Sequence, residues 1–326
     1  MRFPSLHRVL LPVAAALALA ACHHENPANR SGGSTPEAMV QESAQLIKEG
    51  NFAGFWKHAL PPADYASMRA DWKQLSKEQP PMSPDEQARF MQTVKQLTAP
   101  GAKAKLYAEI QPKLTRLETQ YKDQVPVAVG IGQAIASTAI AQAKSLTDAE
   151  KKEASDVLSA LLPWAQKAPW FDQTKAQQAV GVVVTTARKL DLKSPNELRT
   201  LDFDAAMAKY AQVFDGLKQA LAIYGLSVDD VLDSAKATTE SMDHGHAHVQ
   251  INYTLLGKSL TLDTHMMLDN GRWYDQTLVD EVRQAHQQLL AREAAAKAAA
   301  TPAPAGSAAP APTASAAKPA SASTAH

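Results

Sequence analysis

Three helix-start signatures commit the middle of this chain to helices. Ser83-Pro84-Asp85-Glu86, Thr147-Asp148-Ala149-Glu150 and Ser194-Pro195-Asn196-Glu197 each set a hydroxyl three residues ahead of a carboxylate. At that spacing each side chain can accept a hydrogen bond from the other's backbone N–H, which satisfies two donors that a helix end otherwise leaves open. Thr35-Pro36-Glu37 opens a further helix, with proline at the first helical position and an acid on the positive end of the dipole. Met39, Val40, Ser43 and Ile47 follow it at helical spacing, and Leu106, Ile110, Leu114, Leu117 and Tyr121 mark a second stripe that Pro112 is expected to kink. Leu201 to Tyr224 is a long helical pattern closed by Gly225. The pattern predicts seven or eight helices between Thr35 and Gly225.

Two stretches read less simply. Val180 to Thr186 is a β-branched run that suits a strand, yet Asp172 caps a helix that would pass through it. Val125 to Ala143 is the most apolar stretch after the N-terminal segment. Its Gln133, Ser137, Thr138 and Gln142 favour a buried helix of a soluble domain over a membrane span, and Gly130, Ala134 and Thr138 share one face at i+4 spacing.

From Ala235 to Thr277 the hydrophobic period changes from 3.6 to two. With Gly257-Lys258 as a two-residue turn, Leu255 pairs with Leu260, Tyr253 with Leu262, Ile251 with Thr264 and Val249 with Met266, an almost wholly apolar face. The other face then carries Asn252, Asp263, Gln250, His265 and His248, with His265 diagonal to His248. Asp269-Asn270-Gly271 signals a type I′ hairpin that sets Trp273 opposite Leu268, and His244-Gly245 turns the chain back from a first strand near Ala235–Met242. The expected class is therefore α+β and mostly helical: the helices, then a small antiparallel meander of three or four strands, then a C-terminal helix.

The N-terminus places the protein in the cell. Arg2, His7 and Arg8 precede an apolar run, Val9 to Ala20, too short to span a bilayer, which ends in Leu19-Ala20-Ala21-Cys22. This motif resembles the lipobox of bacterial lipoproteins. The resemblance implies cleavage after residue 21, acylation of Cys22, and anchoring by several acyl chains where one would not hold. His23 stands where such families place Asp to retain the protein in the inner membrane, which implies the outer membrane, with the body facing the periplasm. Cys22 is the only cysteine, so cysteine catalysis and disulfides are excluded from the rest of the chain.

The expected organisation is a signal peptide over 1–21, a flexible tether over 22–34, and an α+β domain over 35–282, helical to 225 and sheet-containing from 226. A projecting helix over 283–300 and a disordered tail over 301–326 complete it, the tail holding 23 Ala, Pro, Ser or Thr residues. Gly50-Asn51-Phe52 and Gly271-Arg272-Trp273 also resemble the helix ending and the sheet closure of secreted cone-shaped α+β domains of the nuclear-transport-factor-two-like kind. Residues 53–270, mostly helical, separate the two motifs here. Such domains can be enzymes or binding modules, so the resemblance implies no activity.

Lys+Arg and Asp+Glu each number 33, which excludes a strongly basic protein and with it nucleic-acid partners of the non-specific kind. There is no nucleophile elbow, P-loop, dinucleotide fingerprint or His-Glu-x-x-His. The one constellation with ligand chemistry is His246, His248 and His265 on the polar face of the sheet, which Asp263 or Glu240 could complete. Two or three imidazoles and a carboxylate suit Zn, Cu or Ni, although a solvated strand face is the simpler account of these residues, and no resident cofactor is expected. Trp164 and Trp170, beside Pro163 and Pro169, are expected to anchor a loop rather than wall a ligand. The reading that follows is a lipid-anchored envelope protein with a non-enzymatic binding or assembly role, its partners being the membrane through Cys22 and an envelope protein or small molecule. The competing readings are a His-based metal binder and a hydrolase or isomerase using a pocket between sheet and helices.

Overall fold

A computed structural model describes residues 30–78, 82–144 and 146–300; Cys22, the signal peptide and the tail over 301–326 lie outside the described residues. The helices in chain order are α1 (Pro36–Lys48), α2 (Phe52–Ala59), α3 (Pro62–Glu78), α4 (Pro84–Thr98), α5 (Ala102–Tyr121), α6 (Val125–Gln142), α7 (Asp148–Lys167), α8 (Gln173–Leu190), α9 (Pro195–Thr200), α10 (Phe203–Ile223) and α11 (Val228–Ser234). Four strands follow, β1 (Lys236–Asp243), β2 (His246–Leu255), β3 (Lys258–Asp269) and β4 (Arg272–Asp275), and then α12 (Gln276–Ala300). Among the described residues ten α-helices thus precede Gly225, more than the pattern predicts. α2 and α9 are too short to show a full apolar stripe.

The caps act as their chemistry dictates. Ser83 with Glu86, and Thr147 with Glu150, form reciprocal capping boxes. Ser194 Oγ accepts from Glu197 N, but the Glu197 carboxylate reaches one residue further back, to Lys193 N. Asp172 caps α8, so Val180 to Thr186 is helical: the cap and the length of the pattern outweigh the β-branched run.

The sheet is a four-stranded antiparallel meander in the order β1-β2-β3-β4. Each connection is a two-residue turn with both residues at positive φ: His244-Gly245, Leu256-Gly257 and Asn270-Gly271. That is the type I′ geometry matching strand twist. The β2–β3 turn is Leu256-Gly257 rather than Gly257-Lys258, and the register moves with it. Leu255 pairs with Lys258, Tyr253 with Leu260, Ile251 with Leu262 and Val249 with Thr264. The shift is two residues on β3, so the faces predicted from sequence survive while the partners change. His265 consequently lies directly across from His248, not diagonal to it. Leu268 pairs with Trp273 as expected.

The apolar face of the sheet packs on α1, α7 and α11. Val249, Ile251, Tyr253 and Tyr274 meet Leu46, Ile47, Leu60 and Val279 in the main core. Two smaller clusters hold the helices to one another: Val180 and Val184 with Leu106 and Ile110, and Phe203 with Trp72 and Leu201. The tether expected over 22–34 is shorter than that. Ser31 Oγ donates to Leu60 O, Gly32 N donates to His58 O, and Gly33 bridges to Trp273 in both directions. Gly33 thus forms a single isolated antiparallel bridge beside β4. At the other end, α12 stays bonded to the body beyond residue 283. Arg283 pairs with Asp64, and His286 Nδ1 lies 2.9 Å from Asp71; a second unit begins at Gln287.

One expectation fails outright. α6 is not a buried helix: none of its residues is buried, and Val127, Ile131 and Ile135 are 64%, 59% and 66% exposed. Hydropathy measures how much apolar surface a segment offers and says nothing of what covers it. Here the main packing partner is α7, and Val125, Val129, Ala136 and Ile140 are only half-buried.

Candidate functional site

The histidines come first, because alternation along β2 sets His246 and His248 on the polar face. Across the ladder, the rings of His248 and His265 lie 5.2 Å apart and tilted by 32°. His248 Nε2 is 3.4 Å from Asp263 Oδ1. His246 pairs instead with Met267 and Asp243 and is exposed, while Glu240 sits at the bulge between Thr239 and Ser241. The fold thus joins two of the three histidines with one carboxylate. Among the described residues, no group of three or more His, Cys, Asp or Glu comes to metal-ligating separation.

The aromatic corner is more developed than sequence suggests. Trp164 on α7 meets Trp170 edge-on at 5.2 Å, and Trp170 lies 5.0 Å from Tyr224 at the end of α10. The indole N–H of Trp164 donates to Tyr224 O, and that of Trp170 to Ala165 O. These bonds anchor the loop as expected, since a buried indole needs an acceptor. Trp164 and Tyr224 also wall a shallow cleft of about 380 Å³ between α7, α10 and the β2–β3 turn. Pro163, Trp164, Tyr224 and Leu256 form its apolar wall, with Lys167 and Lys258 at the rim. The volume lies at the lower end for small-molecule sites. Its lining offers aromatic stacking and two cations, and no carboxylate or imidazole.

Strongly shifted groups lie elsewhere. His58 on α2 is fully buried, and burial pushes its imidazole down to about 4; the Arg30 and Met39 backbone groups oppose this, while Arg272 and Arg30 assist it. His58 Nδ1 lies 3.1 Å from Arg30 O, and Nε2 lies 3.6 Å from Glu42 Oε2, too far for a hydrogen bond. Burial also raises Glu42, against the pull of Arg30 and Arg272. On α7, burial first, then Glu150 and Asp263, push Glu153 up to about 7. Asp275 caps α12 by accepting from Leu278 N and Thr264 Oγ1, and burial raises its carboxyl against those bonds. None of these groups lines the aromatic cleft. Sequence could not single them out, because the leading cause in each is burial, which the packing of other segments decides.

The largest unsatisfied feature is α6. No Asp, Glu, Lys or Arg occurs from Gln124 to Ala143. Val127, Ile131 and Ile135 recur at i+4 and form an outward apolar stripe. The continuous helical stretch Ala102–Gln142 that contains them is, by length and composition alone, long and apolar enough to cross a membrane. The chain matches no family model, no curated protein and no solved structure.

Proposed function

We propose that this is a lipid-anchored envelope protein whose helical body has a binding or assembly role rather than a catalytic one. The anchor is Cys22 in Leu19-Ala20-Ala21-Cys22. The observation that carries the binding role is the exposed stripe of Val127, Ile131 and Ile135 on an uncharged helix. Apolar surface of that kind marks an interaction site when it is contiguous. The docked segment Ser31–Gly33 suits such a role. It joins the chain that leaves Cys22 directly to β4 and α2, so the body hangs on a short leash.

The anchor is tested by feeding a palmitate analogue to bacteria that express the full chain. The protein should take up label and fractionate with outer membranes, and Cys22→Ser should abolish both. Wild-type protein that takes up no label, or a serine variant that keeps it, refutes the anchor.

A further inference from the structure

We infer that α6 lies in the surface of the bilayer, with Val127, Ile131 and Ile135 among the acyl chains. The inference rests on the anchor reading only for what brings the membrane near; the helix itself supplies the rest.

A helix this apolar and without a single charge belongs either in a protein core or in lipid, and α6 is not in a core. Its composition points the same way. Three valines, three isoleucines, Gly130, Gly132 and Thr138 make it a poor helix former in water. A Cβ added at either glycine would meet nothing within 4 Å, so neither glycine serves a close contact within the chain. Lipid tolerates such residues, because unmade backbone hydrogen bonds there cost more than propensity does. One of its four polar side chains is satisfied within the helix: Thr138 Oγ1 donates to Ala134 O. Charge returns only at the ends, at Lys122-Asp123 and Lys144.

Geometry then selects the orientation. A span would put α5 and α7 on opposite sides of the membrane. Yet α5 packs on α8, and α7 packs on the sheet, within one compact unit. α6 therefore lies along the surface with α7 behind it and the stripe of Val127, Ile131 and Ile135 facing lipid. Nine residue steps separate Cys22 from the Ser31 clamp, a reach of roughly 30 Å at most. A body held that close meets lipid at high local concentration, which a free protein partner does not share.

The test uses the chain lacking residues 1–21 with Cys22→Ser, which leaves every described residue in place and cannot be acylated. It is floated with vesicles of phosphatidylethanolamine and phosphatidylglycerol. It should float, and Ile131→Lys/Ile135→Lys should reduce the bound fraction at least about tenfold with an unchanged circular dichroism spectrum. Because no other cysteine then remains, Ile131→Cys can carry one environment-sensitive dye, whose emission should shift to the blue on adding vesicles. Absence of both flotation and the dye shift overturns the inference, whatever the state of Cys22. So does a concentration-dependent dimer, abolished by the lysine pair, in protein that ignores vesicles; the occupant of the stripe would then be a second copy. Flotation together with unlabelled Cys22 keeps the helix in the membrane and removes only the anchor.

Discussion

Acid should loosen this protein through His58. The imidazole is fully buried and held down at about 4, against about 6.5 for an imidazole in water. Its folded-state pKa is depressed, so between about 4 and 6.5 the unfolded chain binds a proton that the folded one refuses. Stability from this group is complete above 6.5 and is lost as the pH falls towards 4. The loss is about 3 kcal/mol in full at roughly 1.4 kcal/mol per decade, and about 2 of it is gone by pH 5. Glu42, whose carboxyl is raised, works in the opposite sense, since protonating it favours the folded state. It is common to wild type and variant, so the comparison isolates His58. Urea unfolding of wild type and His58→Gln at pH 7.5 and pH 5 should show the stability gap between them shrinking by about 2 kcal/mol in acid. A gap that is the same at both pH values refutes the argument. Should the variant not fold, the His58 ring resonance in wild-type protein decides the matter: it should stay unprotonated at pH 5, and a midpoint near 6.5 refutes the burial argument. Because Gly32 N donates to His58 O and Arg30 O faces the ring, amide exchange should quicken first at residues 30–34.

Two other perturbations read different parts of the molecule. Glu153 is raised to about 7, so its charge penalises folding above pH 7 and the penalty fades towards 4.5. Glu153→Gln should therefore stabilise by about 1–2 kcal/mol at pH 8, after allowing for its partial exposure, and by little at pH 4.5; equal effects at both pH values in urea titrations would count against burial as the cause. Gly33→Ala would bring a Cβ to 2.3 Å from the Met39 backbone N, so the Gly33–Trp273 bridge must yield. A loss of about 2–3 kcal/mol in thermal or urea unfolding is expected, and a fully stable variant would show that this clamp adds nothing to the body.

Local chemistry was legible because it acts over a few residues. Caps at Ser83, Thr147, Asp172 and Ser194 could be read, since an N-cap bonds only two or three residues ahead. The faces of β2 and β3 could be read as well, because period two assigns every side chain to a side. The choice between Gly257-Lys258 and Leu256-Gly257 could not. Both turns are two residues long and keep the same faces, and only the paired backbones distinguish them. That choice is what moved His265 from a diagonal of His248 to a position beside it. The aromatic corner was half legible: Trp164 and Trp170 were placed as anchors, but Tyr224, 60 residues away from Trp164, completes the cleft.

The sequence by itself determined the class of each segment: where helices begin, where the period turns to two, and that thiol chemistry is confined to Cys22. Tertiary structure alone decided which surfaces are covered. It buried His58, an ionisable side chain among Phe55, Ala59 and Leu60, and it left α6 in the open although that is the most apolar helix of the body. The reason is physical. Propensity and periodicity are properties of one segment, whereas burial is a relation between segments, set by whichever partner the rest of the chain brings within contact distance.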